Sequence, residues 1–276
     1  MKLQEILDWS AELAGCDHVP EDSQVYLEVG GDVRRVLFGV DMGVAELLYA
    51  REAGYDAVIA HHPVGEHAVM DFGRVVERQV DQMATAGIPG DVASAAIGQR
   101  MGPRQRADHM SNYNRTVDTG RLIGVPFCNV HLACDILGRQ AIVDLLGRRA
   151  HPEATVGEAA SWFDEFPEME AALTRPEVWV GSPSSPLGSY RVAMAGGTNG
   201  GYPVFREYFH AGIDTVFAMH IAEGDLERLR DEAEPDDSLV VTGHMATDSI
   251  GINIVIRGLE QRGIEVTRTS GIVPGH

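Results

Sequence analysis

Three separated stretches of the chain each run through apolar residues into histidine: Asp56-Ala-Val-Ile-Ala-His61-His62-Pro63, Pro126-Phe-Cys-Asn-Val-His131 and Leu239-Val-Val-Thr-Gly-His244. A neutral imidazole is a ligand for borderline divalent metals. His131 and His244 are each followed four residues later by a carboxylate, Asp135 and Asp248. If a helix begins at each histidine, that spacing puts imidazole and carboxylate on one face, about 5 to 6 Å apart at Cβ, so that both reach one ion. His61 and His62 are adjacent, and successive side chains on an extended segment point apart, so the pair suits two neighbouring ions better than chelation of one. Pro63 disfavours helix at His62 and keeps the pair extended. Four histidines and two aspartates make a nitrogen and oxygen donor set for two divalent ions, whether Zn, Mn, Fe, Co or Ni, with no thiolate required. The two aspartates leave a surplus of positive charge on two such ions, which would hold a hydroxide and attract a small anionic substrate. Taken singly, His-His-Pro also reads as a turn with half-buried imidazoles, and His-x-x-x-Asp is a weak pattern. The shared position at the ends of strands is what argues for a site.

The elements that would position these residues alternate between strand and helix, the pattern of an α/β fold. Residues 36–40, 56–60 and 126–130 read as strands, and 43–53 and 134–146 as helices. The same grammar returns at 190–195, 214–219 and 238–242 for strands, and at 204–211, 225–233 and 244–259 for helices. An amphipathic helix is expected at 1–14. A Pro/Ser-rich segment, 151–187, is expected to join two lobes, approximately 1–150 and 188–276, within one module. Ligands collect beyond the carboxyl ends of strands in open α/β sheets, so the three histidine loops are expected to face one crevice.

Composition narrows the function classes. The 22 Lys and Arg residues against 41 Asp and Glu give a net charge of −19, which repels a phosphate backbone over most of the surface and makes nucleic acid an unlikely partner. Three cysteines without a CxxC pair do not make a secreted disulfide framework. No apolar run is long enough to span a bilayer, and the first residues lack the order of a signal peptide. The expectation is a cytoplasmic protein with no membrane partner.

The combined segments resemble a known family. Val40-Asp41-Met42-Gly43, the run through His61-His62-Pro63, then His131-Leu-Ala-Cys-Asp135 and Thr242-Gly-His244 with Asp248 are similar to the dinuclear-metal-centre NIF-three-like family, also labelled GTP cyclohydrolase type-two homologues. The resemblance covers most of the chain, up to the closing Gly-Ile-Glu-Val strand near residue 265. It implies that His61, His62, Asp135, His244 and Asp248 are metal ligands, with His131 at a frequent position. It also implies two pseudo-related α/β lobes with mixed sheets flanked by helices, metals in the cleft between them, and often a ring-shaped homohexamer.

The sequence departs from the family pattern in two places. The last ligand is usually Glu, and Asp248 is one methylene shorter, which puts a carboxylate bridging both ions in question. Thr-Gly-Glu usually follows the strand that here ends in Phe217-Ala-Met-His220, so His220 and Glu223 are either groups beside the metals or an ordinary helix start. Glu66 and Glu223 are the nearest carboxylates for acid or base work, or else solvated surface groups. Residues 98–121 read as a surface excursion or irregular helix that could form a lid, with His109 as a substrate contact or an exposed loop residue. Cys128 and Cys134 flank His131 as soft ligands or buried structural thiols. Residues 196–201 form a glycine-rich turn that could cradle phosphate, although the Lys-Ser/Thr of a P-loop is absent. Two functions follow: a metal-dependent hydrolase of an anionic or nucleotide-like small molecule, or a metal-binding scaffold that stores or delivers metal, or docks a partner, without turnover.

Overall fold

Apolar runs without polar alternation mark strands covered on both faces, and the central strands of this chain are built that way. In the computed structural model, which describes residues 1–28, 30–194 and 200–275, nine strands are assigned among those residues. They are β1 (Val25–Leu27), β2 (Arg35–Gly39), β3 (Ala57–Ala60), β4 (Phe127–Asn129), β5 (Glu177–Val180), β6 (Tyr190–Val192), β7 (Thr215–Ala218), β8 (Ser238–Val241) and β9 (Glu265–Thr269). The helices are α1 (Leu3–Leu13), α2 (Val44–Glu52), α3 (Glu66–Met70), α4 (Phe72–Val76), α5 (Arg78–Ala84), α6 (Gly90–Met110), α7 (Arg115–Ile123), α8 (Leu132–Arg149), α9 (Val156–Ser161), α10 (Pro167–Ala171), α11 (Gly201–His210), α12 (Glu223–Glu232) and α13 (His244–Gln261). β3, β7 and β8 are buried at every residue.

Two sheets form, in the orders β1-β4-β3-β2-β9 and β5-β8-β7-β6. Each has three parallel strands in the same relative order, β2-β3-β4 in one and β6-β7-β8 in the other, and each is edged by one antiparallel strand, β1 on β4 and β5 on β8. The expected class, two related α/β halves with mixed sheets flanked by helices, is what the topology shows. The boundaries differ from the sequence expectation. β5 lies inside the supposed joining segment 151–187, and β9, from the far end of the chain, pairs in parallel with β2 of the first sheet. Local propensity cannot reveal either pairing, because both are long-range choices of strand neighbour.

α8 and α13 cross between the sheets and belong to both cores. Ala133 and Cys134 of α8 pack with the first sheet, whereas Ile142, Leu145 and Leu146 pack with the second. α13 runs the other way, with Ala246 and Ile250 in the second-sheet core and Ile252, Val255, Ile256 and Leu259 in the first. The helices touch through glycine: a Cβ at Gly251 would meet the Cys134 carbonyl and lie 3.0 Å from the Gly138 nitrogen. Gly138 stands three residues after Asp135, and Gly251 three after Asp248, so the crossing holds the two carboxylate-bearing helix starts together.

The remaining helices include a region that sequence left irregular. Residues 98–121 form the second half of α6, a short turn and most of α7, so of the two alternatives, surface excursion or irregular helix, the structure has helix, continuous through Pro103 within α6. Among the described residues no helix is long and apolar enough to cross a membrane.

The crossing yields a paired test. Gly251→Ala should lower the unfolding free energy by about 1–3 kcal/mol, since backbone atoms must move to admit the methyl. Gly147→Ala, within α8 where nothing lies within 4 Å, should raise it by up to about 1 kcal/mol. Denaturant midpoints of the two variants check both signs.

Candidate metal centre

The ends of β3 and β4 deliver the first imidazoles. Pairing with β2 continues past β3, with the His61 amide donating to the Gly39 carbonyl at 2.8 Å and the His62 amide to the Val40 carbonyl at 3.0 Å. The pair stays extended, yet its rings do not point apart as expected of successive residues on a strand: their centroids are 5.1 Å apart, and a donor atom of each joins His131 in one group. His131 is the N-cap residue of α8 and places Asp135 in the first turn. His244 opens α13 after Gly243, whose φ of 92° lies in the left-handed region that favours glycine. Asp248 follows one turn later. The structure thus gathers His61, His62, His131, Asp135, His244 and Asp248 into three overlapping groups whose donor atoms lie within 4.8 Å of one another: His61, His62 and His131; His62, His244 and Asp248; and His61, Asp135 and Asp248.

Each of three rings is held from behind. His61 Nδ1 is 3.1 Å from the Val130 carbonyl, His62 Nδ1 is 2.7 Å from Asp41 Oδ1, and His131 Nδ1 is 2.6 Å from Asp22 Oδ2. A carbonyl or carboxylate oxygen only accepts, so each Nδ1 donates, and in the neutral imidazole that a metal would bind each Nε2 is left with its lone pair towards the centre. His61 Nε2 then faces Asp135 Oδ1 at 3.4 Å and Asp248 Oδ2 at 3.7 Å. All three atoms are buried and have no hydrogen-bond partner. Asp248 Oδ2 also lies 3.5 Å from His62 Nε2 and 2.9 Å from His244 Nε2, although the latter contact lacks hydrogen-bond alignment. The shorter Asp side chain therefore still reaches histidines on both sides of the cluster.

The electrostatics point the same way. Burial opposes charge on His131, but Asp135 and Asp22 outweigh it and push its pKa up to about 9. Burial likewise opposes ionisation of Asp248, and His61, His244 and His62 outweigh it and hold the carboxyl well below the usual range. The same balance, with His131 and His61 prevailing over burial, lowers Asp135. These carboxylates demand positive charge inside the cluster. The cluster is closed on one side and open on the other: side-chain exposure is 1% at His61 and 2% at Asp248, against 25% at His62 and 37% at His244.

Asp22 and Asp41 are supporting residues to which sequence reasoning gave no role. Asp22 is fully buried, and the neighbouring Ser23 hydroxyl accepts the His131 amide at 2.9 Å. No local spacing signals a partner 109 residues away; an Asp-Ser turn in an acidic loop was the available clue. His220, the other strand-end histidine of the second sheet, stacks edge-on against His244 at 4.9 Å between centroids. Burial and His244 beside it push its pKa down to about 4, so the imidazole is neutral.

The remaining sequence candidates lie apart. Glu66 is gripped by Arg121, at 2.6 and 3.1 Å, and by Gln24 at 2.9 Å, so it braces a loop and does not face the cluster. Glu223 is exposed in the first turn of α12, and His109 is exposed in the last turn of α6. Cys128 and Cys134 pack into the first-sheet core and belong to none of the donor groups. Burial pushes both thiols up. Residues 196–199 of the glycine-rich turn lie outside the described residues; Gly200 and Gly201 lead into α11.

A buried phenol braces the histidine loop. Tyr26 donates to Asn129 Oδ1 at 2.8 Å while its oxygen accepts the amides of Val64 and Gly65 at 2.8 and 3.4 Å. Tyr26→Phe leaves those amides without their acceptor and should cost about 1–3 kcal/mol of stability, read as a lower denaturant midpoint with unchanged far-UV circular dichroism.

Comparison with known proteins places this geometry in a family. A family model described as Duf34/NIF3 (NGG1p interacting factor 3) matches residues 1–89. No curated protein matches. Among solved structures, the chain is similar to a NIF3 superfamily protein from Sphaerobacter thermophilus, with 40% identity over 98% of each chain and a TM-score of 0.93. Two more distant similarities show the fold alone. Reduced HcgD from Methanocaldococcus jannaschii has 12% identity over 97% of each chain and a TM-score of 0.58. TTHA1606 from Thermus thermophilus has 14% identity over 97% of each chain and a TM-score of 0.53. With close to its whole length aligned at 40% identity to a member, the chain belongs to the NIF3 superfamily.

Proposed function

We propose that the chain binds two divalent cations through His61, His62, His131, Asp135, His244 and Asp248, and that it is a metal-dependent hydrolase of an anionic or nucleotide-like small molecule. The observation that carries this reading is the set of buried, unpartnered donors, His61 Nε2, Asp135 Oδ1 and Asp248 Oδ2, aimed at one another. Each unpaired buried polar atom costs about 1–3 kcal/mol, and a shared cation removes that penalty. The donors are nitrogen and oxygen only, which fits Zn, Mn, Fe, Co or Ni.

His61, His131, Asp135 and Asp248 would hold an ion on the closed side, and His62, His244 and Asp248 an ion on the open side. Asp22, Asp41 and the Val130 carbonyl orient the imidazoles. Bound there, divalent cations supply Lewis acidity and lower the pKa of water towards neutrality. The half-exposed His62 and His244 give substrate a way in, and a cavity of about 220 Å³ beside His62, lined also by Asp41, Met42, Pro63 and Thr116, gives it room. The buried Asp22 carboxylate offsets part of the positive surplus that the two aspartate ligands alone would leave. The same reading places the protein in a reducing cytoplasm, which suits its free thiols Cys16, Cys128 and Cys134, and assembles it as a homohexamer.

One observation favours a second reading, metal storage, delivery or partner docking without turnover. Glu66 is occupied by Arg121 and Glu223 stands exposed, so neither expected carboxylate serves the cluster as an acid or base.

Metal analysis of the wild type should find two equivalents per chain. The loaded protein should hydrolyse at least one member of a panel of nucleotides, phosphoesters and cyclic amides. His62→Ala should lose that activity at any metal concentration. Inactivity of fully loaded protein across the panel, with rapid loss of both ions to a chelator, supports the delivery reading instead.

A further inference from the structure

The residues that follow β9 form a strap that reaches the support or the chain neighbour of each donor on the open side of the cluster, His62, His244 and Asp248. β9 pairs with β2 up to Thr269 and Gly39, and the Val40 amide extends the pairing by donating to the Ser270 carbonyl at 3.0 Å. The Ser270 hydroxyl donates to the Asp41 carbonyl, and Asp41 is the residue whose Oδ1 lies 2.7 Å from His62 Nδ1. Gly271, at a φ of 89°, lies against Val40 and Met245: a Cβ there would stand 2.9 Å from the Met245 sulfur and 3.7 Å from Val40 Cγ2. Met245 follows His244. Ile272 is buried in the first-sheet core and anchors the strap, and the Val273 amide donates to the Ser249 hydroxyl at 2.8 Å. Ser249 follows Asp248, and its hydroxyl donates to the Met245 carbonyl at 2.6 Å.

Ser270 is the tie that backbone geometry alone does not explain. Its φ of 42° lies in the left-handed region, which glycine would occupy more easily than a residue with a Cβ. What serine adds is the hydroxyl, and among the described residues the one hydrogen bond of that hydroxyl goes to Asp41. Asp41 is exposed, so packing does not fix the carboxylate that orients His62. The closed-side rings are held otherwise, His61 by the Val130 carbonyl and His131 by the buried Asp22. Among the described residues no hydrogen bond joins the strap to either of those supports. The groups that orient a ligand ring tune metal affinity, so a change at Ser270 reaches one ion and spares the other.

We infer that Ser270 is a positioning residue for the open-side cation, acting through Asp41 on His62, and that the strap 270–273 sets how firmly this ion is held independently of the closed-side ion. The inference rests on the two-cation reading of the centre and adds to it a separate control of one ion.

Competition for zinc between the full-length protein and a chromophoric chelator tests this without any measurement of turnover. The wild type should hold two equivalents, the open-side one being the equivalent that His244→Ala loses. Ser270→Gly should weaken that equivalent by about tenfold and leave the other unchanged, so the closed-side ion is the internal control. Because glycine accepts the left-handed φ, the unfolding midpoint of the metal-free variant should stay near that of the wild type. Ser270→Ala, which keeps the Cβ and removes the hydroxyl, should give the same selective loss and keeps the test valid should Ser270→Gly fold poorly. In an Asp41→Ala background Ser270→Gly should add no further weakening, as expected of residues that act in series. Equal retention of the open-side ion by the wild type and both Ser270 variants overturns the inference and leaves the two-cation reading standing. Weakening of both ions alike, in step with a lowered midpoint, marks a merely structural tie and also overturns it. A wild type that binds no zinc overturns the two-cation reading and the inference together.

Discussion

The constraint on which the rest of the structure depends is the meeting of electron-pair donors. Imidazole lone pairs and carboxylate oxygens that would each be hydrated in an unfolded chain are driven together out of water, and their own hydrogens are committed to acceptors behind them. His61 shows this most plainly: one ring nitrogen is taken up by the Val130 carbonyl, and the other looks at two carboxylate oxygens. Such an arrangement is costly in a low-dielectric interior unless positive charge enters it. The fold tolerates it because two sheets and a pair of crossing helices supply far more burial than this one cluster costs.

The helix crossing turns a duplicated pattern into a single site. His131, Asp135 and Gly138 on α8 have the same spacing as His244, Asp248 and Gly251 on α13. The two helices run antiparallel and meet at their glycines, so each lobe delivers one imidazole and one carboxylate to a common point. The duplication is incomplete where the strands contribute: His61 and His62 end β3, whereas the matching strand β7 leads to Met219 and His220. The cluster is accordingly lopsided, sealed around His61 and open around His62, His244 and His220. That asymmetry leaves the donor cluster reachable from one side only.

Much of this was legible in the sequence, and the parts that were not share a cause. Histidine at strand ends and the His-x-x-x-Asp spacing are local, and local pattern located all six donors that the structure gathers. The central strands were equally legible, because continuous apolar runs such as 57–60 have few other uses. Asp22 was not, since its contact with His131 depends on the path of a loop without regular structure. The place of β9 in the first sheet was hidden for the same reason: a strand's sequence reports its burial, not its neighbour. Residues 98–121 misled in the opposite direction, because polar surface and an internal proline masked helices whose stability comes from packing on one side.

The central claim, that the converging donors hold a pair of cations with Asp248 between them, is tested most directly by anomalous diffraction from crystals of metal-loaded protein at the absorption edge of the ion found by elemental analysis. The account predicts two peaks flanking Asp248, one towards His61 and Asp135 and the other towards His62 and His244. A map with no peak within coordination distance of Asp248, from crystals whose elemental analysis shows metal, would contradict it.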